Sequence, residues 1–398
     1  MQKFEKHSPV VVTEVTTKHE LRQFMQYPNR LYADNPNYIP SFYGDDLSDW
    51  TPGKNPAFDY CEARCWLARR DGEIVGRIGA ILSHKANDKF GTHRMRFSQV
   101  DFVDDSEVSA ALFGTVERWA REKGCDQVHG PLGFTDMDRE GMLVEGFDRR
   151  SLFFTNYNAP YYLEHLTRLG YRKDVDWIEY RITVPEPGGA EAERLHKLSE
   201  FILKRKHLHV ATVHHKSEYG PFVRQVFELV NAAYAPLYGV VELSDEQIER
   251  YANKFIPLVD PDFVCFVVDE QDQLVAFGVT ALDPSVALKH SDGRLFPFGW
   301  AGVLNDLHHG DTLIMLLTAV RPDLQTEGIN AVMMDHVCQS CNRHGVQFAE
   351  TGPMLEKNDH ILAQWKRLDK EQHKRRRCFI KDLVPAAQQA APKEMAGV

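Results

Sequence analysis

Residues 313–331, LIMLLTAVRPDLQTEGINA, form the stretch with the most chemical content. An apolar strand ends at Val320, Pro322 stops it, and a helix opens near Gly328. A strand–loop–helix entry of this kind leaves backbone N–H groups free at the positive end of a helix dipole. That end suits a phosphate or pyrophosphate. Gly328 lets a ligand approach the backbone closely. An ordinary turn between a strand and a helix has the same outline, so the pattern alone does not settle a role.

Other candidates are weaker. Residues 130–162 make a long connector carrying Asp136, Asp138, Glu140, Glu145, Asn156, Tyr157, Asn158 and Tyr161. Connectors of this length in compact domains are often functional. Its Phe147, Phe153, Phe154 and Tyr157 could line an apolar channel or pack two lobes together. Lys374, Arg375, Arg376 and Arg377 form the densest basic run, a solvated face or one turned toward anionic groups. Cys338 and Cys341 stand as C-x-x-C in a helical pattern, and Cys61 and Cys65 as a looser pair; free buried thiols fit both better than a metal. There is no G-x-S-x-G elbow and no phosphate-binding G-x-x-x-x-G-K-[ST].

The elements that must position these residues come in two similar runs. Residues 65–82 alternate on both sides of a turn at 70–73, which predicts a hairpin. A strand over 97–103, a helix over 107–123 closed by Gly124, and a strand over 126–130 follow. A short helix over 160–169 and a strand over 177–184 complete the first run. Two prolines and two glycines in 184–194 mark a boundary, and a helix over 192–206 leads on. The second run has helices over 222–233 and 245–255, then a hairpin over 263–281 and a strand over 311–320. A helix over 328–344, a strand over 346–351, a helix over 359–368 and a strand over 376–383 end it. The order is shared with little residue identity. This predicts a lobe at 1–185, a linker and helix at 186–206, a second lobe at 207–383 and a disordered tail at 384–398.

Composition narrows the class. A chain of 398 residues with 43% apolar and 26% charged residues can bury real cores. The net charge of −10 argues against a general nucleic-acid binder. No apolar run reaches the ~18–20 residues of a membrane span, and residues 1–12 lack the apolar stretch of a secretory signal. Seven cysteines, an odd and sparse set, fit a reducing cytoplasm.

On its residues the chain resembles a known family. Val320, Pro322, Gln325, Gly328 and Ile329 reproduce V-x-P-x-x-Q-x-x-G-I, similar to the acyl-CoA-binding motif of the GNAT acyltransferases. Asn330 stands where that motif has Gly or Ala, and Glu327 where Gly or Lys is common. GRLFPFGW at 293–300, ETGPMLEKN at 350–358, GMLVEGFD at 141–148 and YNAPYY at 157–162 are similar to landmarks of a two-lobed bacterial GNAT subgroup. Bacterial ceramide synthases look similar as well. The resemblance implies an α/β (α+β) fold of tandem GNAT-like lobes, each a mixed, mostly antiparallel sheet flanked by helices. It implies acyl-CoA or acetyl-CoA as co-substrate, no metal, and N-acylation of a small-molecule or lipid amine bound between the lobes. Val320, Gln325, Thr326, Glu327, Gly328, Ile329 and Asn330 would hold the CoA.

Glu350, at the end of a strand beside the expected cleft, is the first candidate base. His360 and Asn358 replace the Tyr that the family often carries on the following helix. Tyr157, Asn158, Tyr161 and Glu145 would meet the acceptor. In the first run Asp104, Asp105 and Glu107 crowd the equivalent turn, so only the second lobe is expected to bind CoA. The expected setting is cytoplasmic, with no nucleic-acid partner and with peripheral contact to a membrane surface as an option. A non-catalytic CoA-fold or lipid-binding protein and a tRNA-dependent aminoacyl transferase are the alternatives.

Overall fold

The computed structural model describes residues 8–383; the tail expected to be disordered lies outside them. One sheet of 14 strands runs through both lobes. In the first lobe the strands are β1 (Val11–Glu14), β2 (Cys61–Arg70), β3 (Glu73–Ser83), β4 (Arg94–Phe102), β5 (Gln127–Gly130), β6 (Met142–Glu145) and β7 (Arg172–Thr183). The second contributes β8 (His209–Val210), β9 (Val264–Val268), β10 (Leu274–Leu282), β11 (Thr312–Val320), β12 (Phe348–Glu350), β13 (Met354–Leu355) and β14 (Lys370–Asp382). The helices are α1 (Lys18–Leu31), α2 (Tyr43–Asp49), α3 (His84–Phe90), α4 (Ser106–Glu122), α5 (Tyr161–Arg168) and α6 (Ala190–Lys206). They continue as α7 (Gly220–Tyr234), α8 (Asp245–Phe255), α9 (Ser285–His290), α10 (Gly299–His309), α11 (Asn330–His344) and α12 (Asp359–Ala363).

The strand order is β1-β2-β3-β4-β5-β14-β7-β12-β11-β10-β9-β8. The parallel pairs, β4 with β5 and β11 with β12, occupy matching places in the two lobes. Each lobe's hairpin, parallel pair and intervening helix follow the shared order read from the sequence. The join does not. β14, last in the chain, lies between β5 and β7 of the first lobe, and β7 lies between β14 and β12. The two lobes therefore exchange their final strands. Residues 374–377 sit in this central strand, which is why the basic run is not a surface patch.

Apolar cores pack on both faces of the sheet. Phe113 and Val116 of α4 pack with Phe97 and Tyr162 in one core, and Val332, Met333 and Cys341 of α11 pack in another. On the opposite face a cluster containing Phe42, Phe153, Leu288 and Ile314 joins the lobes. Gly124, with φ +74°, closes α4 in the left-handed conformation that a residue without Cβ adopts freely.

Candidate functional site

β11 and β12 pair only from Thr312–Phe348 to Ile314–Glu350. Beyond Ile314, β11 runs on to Val320 while β12 turns away, so a splay opens in the sheet. The register of β11 against β10 slips between Val279 and Thr280, which leaves Leu316 as a bulge at the mouth of the splay. Gly352 sits at its narrow end. A Cβ there would lie 3.3 Å from the Met315 carbonyl oxygen and 3.6 Å from the Phe154 ring.

The two faces of the splay differ sharply. Ile182 and Ala349 are partners across β7 and β12 and face one side. On that side an open apolar cavity runs between β11, α11 and the chain that follows α12, lined by Met315, Met333, Met334, Val337, Trp365 and Leu368 among others. Cys338 and Cys341 also line it; burial pushes their thiols up to about 11 and 12, so they stay protonated and are poor metal ligands.

Arg181 and Glu350 are the next partners along and face the other side. There the alternating residues of β14 and β7 build a buried charged network. Lys374 Nζ donates to Glu350 Oε2 at 3.2 Å and lies 3.6 Å from Glu179 Oε2. Arg376 donates its Nε to Glu179 at 2.5 Å and also donates to the Asn156 carbonyl. His373, at a bulge of β14, brings Nε2 within 3.8 Å of Glu350. That nitrogen is buried and has no hydrogen-bond partner. Burial first, and then Lys374, Arg149, Arg181 and Arg376, hold the imidazole down to about 2, so it is neutral at pH 7. Among these residues Glu350 was legible in the sequence. Glu179, His373, Lys374 and Arg376 were not. Their signal is the period of two in a strand, which puts 374 and 376 on one face, together with a Glu and an Arg inside the apolar run 177–184.

A second cavity opens on this charged side. Phe154, which meets Gly352 at the splay, lines it together with Asn156. Asp45, Asp46, Asp49 and Asp138 line it against two cations, Arg139 and Lys254. Trp50, Phe42, Phe134 and Phe153 supply apolar wall. Burial and then the charge of Asp49 push Asp138 up to about 6. The splay thus separates a largely apolar space from one with charges and aromatic rings.

The turn expected to meet a phosphate has the required geometry. Gly328 takes φ +82°, and a Cβ there would lie 3.1 Å from Ile202 of α6. Among the described residues, the backbone N–H groups of Thr326, Gly328, Ile329 and Asn330 have no hydrogen-bond partner. Gln325 donates its side-chain amide to the Val320 carbonyl at 3.3 Å and holds the turn shut. Glu327, the acid out of keeping with an anion site, is tied to Lys206 at the end of α6 at 2.6 Å. That pair, aided by Arg205, holds its carboxyl below the ordinary range. Asn330 faces the apolar cavity.

The remaining sequence candidates lie elsewhere. Asn358 caps α12 by accepting from the Ile361 N–H at 3.3 Å, and His360 is exposed on that helix. Tyr157 is buried, with its hydroxyl bonded to Asn35 and to the Phe147 carbonyl. Asn158 accepts from the Leu143 N–H, and Tyr161 donates to the Phe102 carbonyl. Glu145 pairs with Arg375 on the surface. In the first lobe Asp105 accepts from the N–H groups of Glu107 and Val108, so the start of α4 is capped by its own carboxylate. Tyr238 places its hydroxyl amid His129, Asp174 and Cys378, whose donor atoms lie within 4.8 Å of one another. That hydroxyl satisfies the three groups as a hydrogen-bond hub joining the lobes.

One carboxylate is out of balance. Both Asp136 oxygens are buried without a partner, and burial pushes this group up from 3.8 to about 6. The raised folded-state value means that its contribution to stability is fully present below about pH 4 and is lost as pH rises through about 6. Asp136→Asn is therefore expected to stabilise the protein by about 1–2 kcal/mol at pH 8 and to change little at pH 4. Thermal melts at the two pH values check this; equal shifts at both would refute it.

No family model matches the chain. Over 379 residues, 94% of the chain and 95% of its relative, it is 27% identical to Protein YghO of Escherichia coli (strain K12). Over 300 residues, 74% of the chain and 75% of the relative, it is 28% identical to the bacterial ceramide synthase of Caulobacter vibrioides (strain NA1000 / CB15N). Among solved structures it superposes on a tandem GNAT protein from the clavulanic acid biosynthesis pathway with a TM-score of 0.54 at 14% identity, covering 95% of this chain and 99% of that one. A GCN5-related N-acetyltransferase from Sphaerobacter thermophilus gives a TM-score of 0.51 at 13% identity, covering 94% and 96%. No helix among the described residues is long and apolar enough to cross a membrane. These likenesses show the fold: the chain has the fold of tandem GNAT proteins.

Proposed function

We propose that the protein is an acyl-CoA-dependent N-acyltransferase that acylates an amphipathic, long-chain amine held between its lobes. The observation that carries this reading is the splay between β11 and β12, with an apolar cavity on one face and Glu350 with a charged cavity on the other. The likeness to a bacterial ceramide synthase supports a lipid amine.

The residues present fit acyl-CoA. Four unpaired N–H groups at Thr326, Gly328, Ile329 and Asn330 would hold its pyrophosphate. The apolar cavity would take the acyl chain. The co-substrate would supply a thioester: the amine nitrogen bonds to the carbonyl carbon, the C–S bond breaks, and CoA leaves as a thiolate that takes up the proton the amine gives to Glu350. Glu350 takes the proton the amine loses, directly or through a water. His373 Nε2, a neutral acceptor, holds the other amine N–H in line. The aromatic wall of the charged cavity receives the acceptor's chain, and its carboxylates favour a cationic head.

Calorimetric titration with acyl-CoA thioesters of increasing chain length tests this reading. Affinity is expected to rise with chain length as the apolar cavity fills, by about 0.8 kcal/mol for each CH2 that is buried. No binding of any thioester would overturn it. Lys206→Ala leaves Glu327 unpaired beside the bound pyrophosphate, and is expected to weaken CoA binding about tenfold, with smaller losses at high salt. Gly328→Trp is expected to abolish that binding while the far-ultraviolet spectrum stays native.

A further inference from the structure

The GRLFPFGW segment, residues 293–300, supplies no side chain to either cavity. It links α9 to α10 and forms a tip. Phe296 and Phe298 are each 80% exposed, and Trp300 is 47% exposed. Val286 of α9 and Leu304 of α10 extend the same apolar surface. The base beneath is rigid. Leu288, Val303 and Leu307 are buried, and the Trp300 indole N–H donates to the Pro297 carbonyl at 3.1 Å. A Cβ on Gly293 would clash with the Ser41 carbonyl, so the turn is locked against the start of α2.

We propose that this aromatic tip docks the protein on a phospholipid bilayer. Three observations favour a lipid surface over a protein partner. First, phenylalanines that barely touch their own chain protrude, and a fluid interface accepts protrusions without a matching shape. Second, Phe and Trp beside a polar backbone are the side chains that settle at the boundary of headgroups and acyl chains. Third, residues 285–310 carry two acids, Asp292 and Asp306, against Lys289 and Arg294, so this region is neutral in a chain of net charge −10. An acidic protein would otherwise be repelled by the anionic lipids of a membrane.

The tip also stands next to the proposed acceptor entrance. The cluster under α9 and α10 contains Phe42, Phe153 and Phe154, and these residues line the charged cavity. The docking itself does not depend on that chemistry.

Flotation of the full chain with phosphatidylcholine vesicles, with and without phosphatidylglycerol, tests the proposal. Binding is expected on both, and it should persist at high salt because apolar insertion carries it. Phe296→Ser with Phe298→Ser is expected to weaken it about tenfold for each phenylalanine removed, with the thermal melt unchanged. Quenching of Trp300 by bromine-labelled lipid is expected in the wild type and is expected to drop in Trp300→Phe. Failure to bind either vesicle would overturn the proposal, as would equal binding by the double variant. A wild-type dimer that the double variant splits would assign the tip to a second copy of the chain instead. Acyl-CoA affinity is measured separately, so loss of docking leaves the acyltransferase reading standing.

Discussion

Glu350→Gln is expected to slow turnover by about 10²–10⁴-fold while leaving acyl-CoA affinity within twofold. The argument rests on what the substitution keeps. Gln has the shape of Glu and still offers an oxygen to Lys374 Nζ, 3.2 Å away. It cannot accept a proton from an attacking amine. Lys374 is fully buried and retains Glu179 at 3.6 Å, so the variant is expected to lose at most about 1–3 kcal/mol of stability. A purely structural Glu350 would move stability and leave kcat alone; a base would move kcat and its pH profile. Turnover within twofold of wild type at all pH values would remove Glu350 from the reaction. His373→Asn is the companion: it keeps a hydrogen-bonding side chain at that place, so it should raise the acceptor KM more than it lowers kcat.

Much of the proposed site is legible in the sequence, and the reasons are local. The turn proposed to hold the pyrophosphate is written in consecutive residues, Val320 to Asn330, because a helix start needs only its own backbone and a Gly that tolerates φ +82°. Gly124 closes α4 for the same reason. What escaped depends on distant pairing. The run at 374–377 reads as a charged surface, yet Lys374 and Arg376 are fully buried because β14 lies in the middle of the sheet. Their compensating Glu179 is on a strand about two hundred residues earlier in the chain. Asp105 could be read as a helix cap; its pairing with Arg70, which further occupies the first lobe's turn, could not. Tyr157, Asn158 and Tyr161 looked like acceptor ligands because polar aromatic runs in long connectors often are. Here each finds a backbone or side-chain partner inside the first lobe. The first helix was missed although Thr17 and Glu20 form a capping box, a signal present in the sequence.

Ending the chain after residue 369 is expected to unfold both lobes together. β14 is the first lobe's link between β5 and β7, so its removal cuts the sheet of a lobe to which it does not belong in sequence. Three losses combine. Phe379, Ile380 and Cys378 leave the core, at about 1.5–3 kcal/mol for a large apolar side chain. Glu179 keeps neither Arg376 nor Lys374, and an uncompensated buried charge costs about 3–5 kcal/mol. The inner edges of β5 and β7 lose their backbone partners. The sum matches or exceeds the ~5–15 kcal/mol by which domains of this kind are stable. The shortened chain should show no cooperative melt, and hydrogen exchange should be fast in β4 and β5 as well as in β11. A synthetic peptide of residues 370–383 added in trans should restore the melt, because the missing element is a single strand with a preformed slot. A single change separates pairing from length: Arg376→Met keeps β14 but leaves Glu179 with Lys374 alone, at 3.6 Å, and should cost about 1–3 kcal/mol in one transition shared by both lobes. Two transitions, with the first lobe unaffected, would mean that the lobes fold independently and that the exchanged strand decorates the fold instead of holding it.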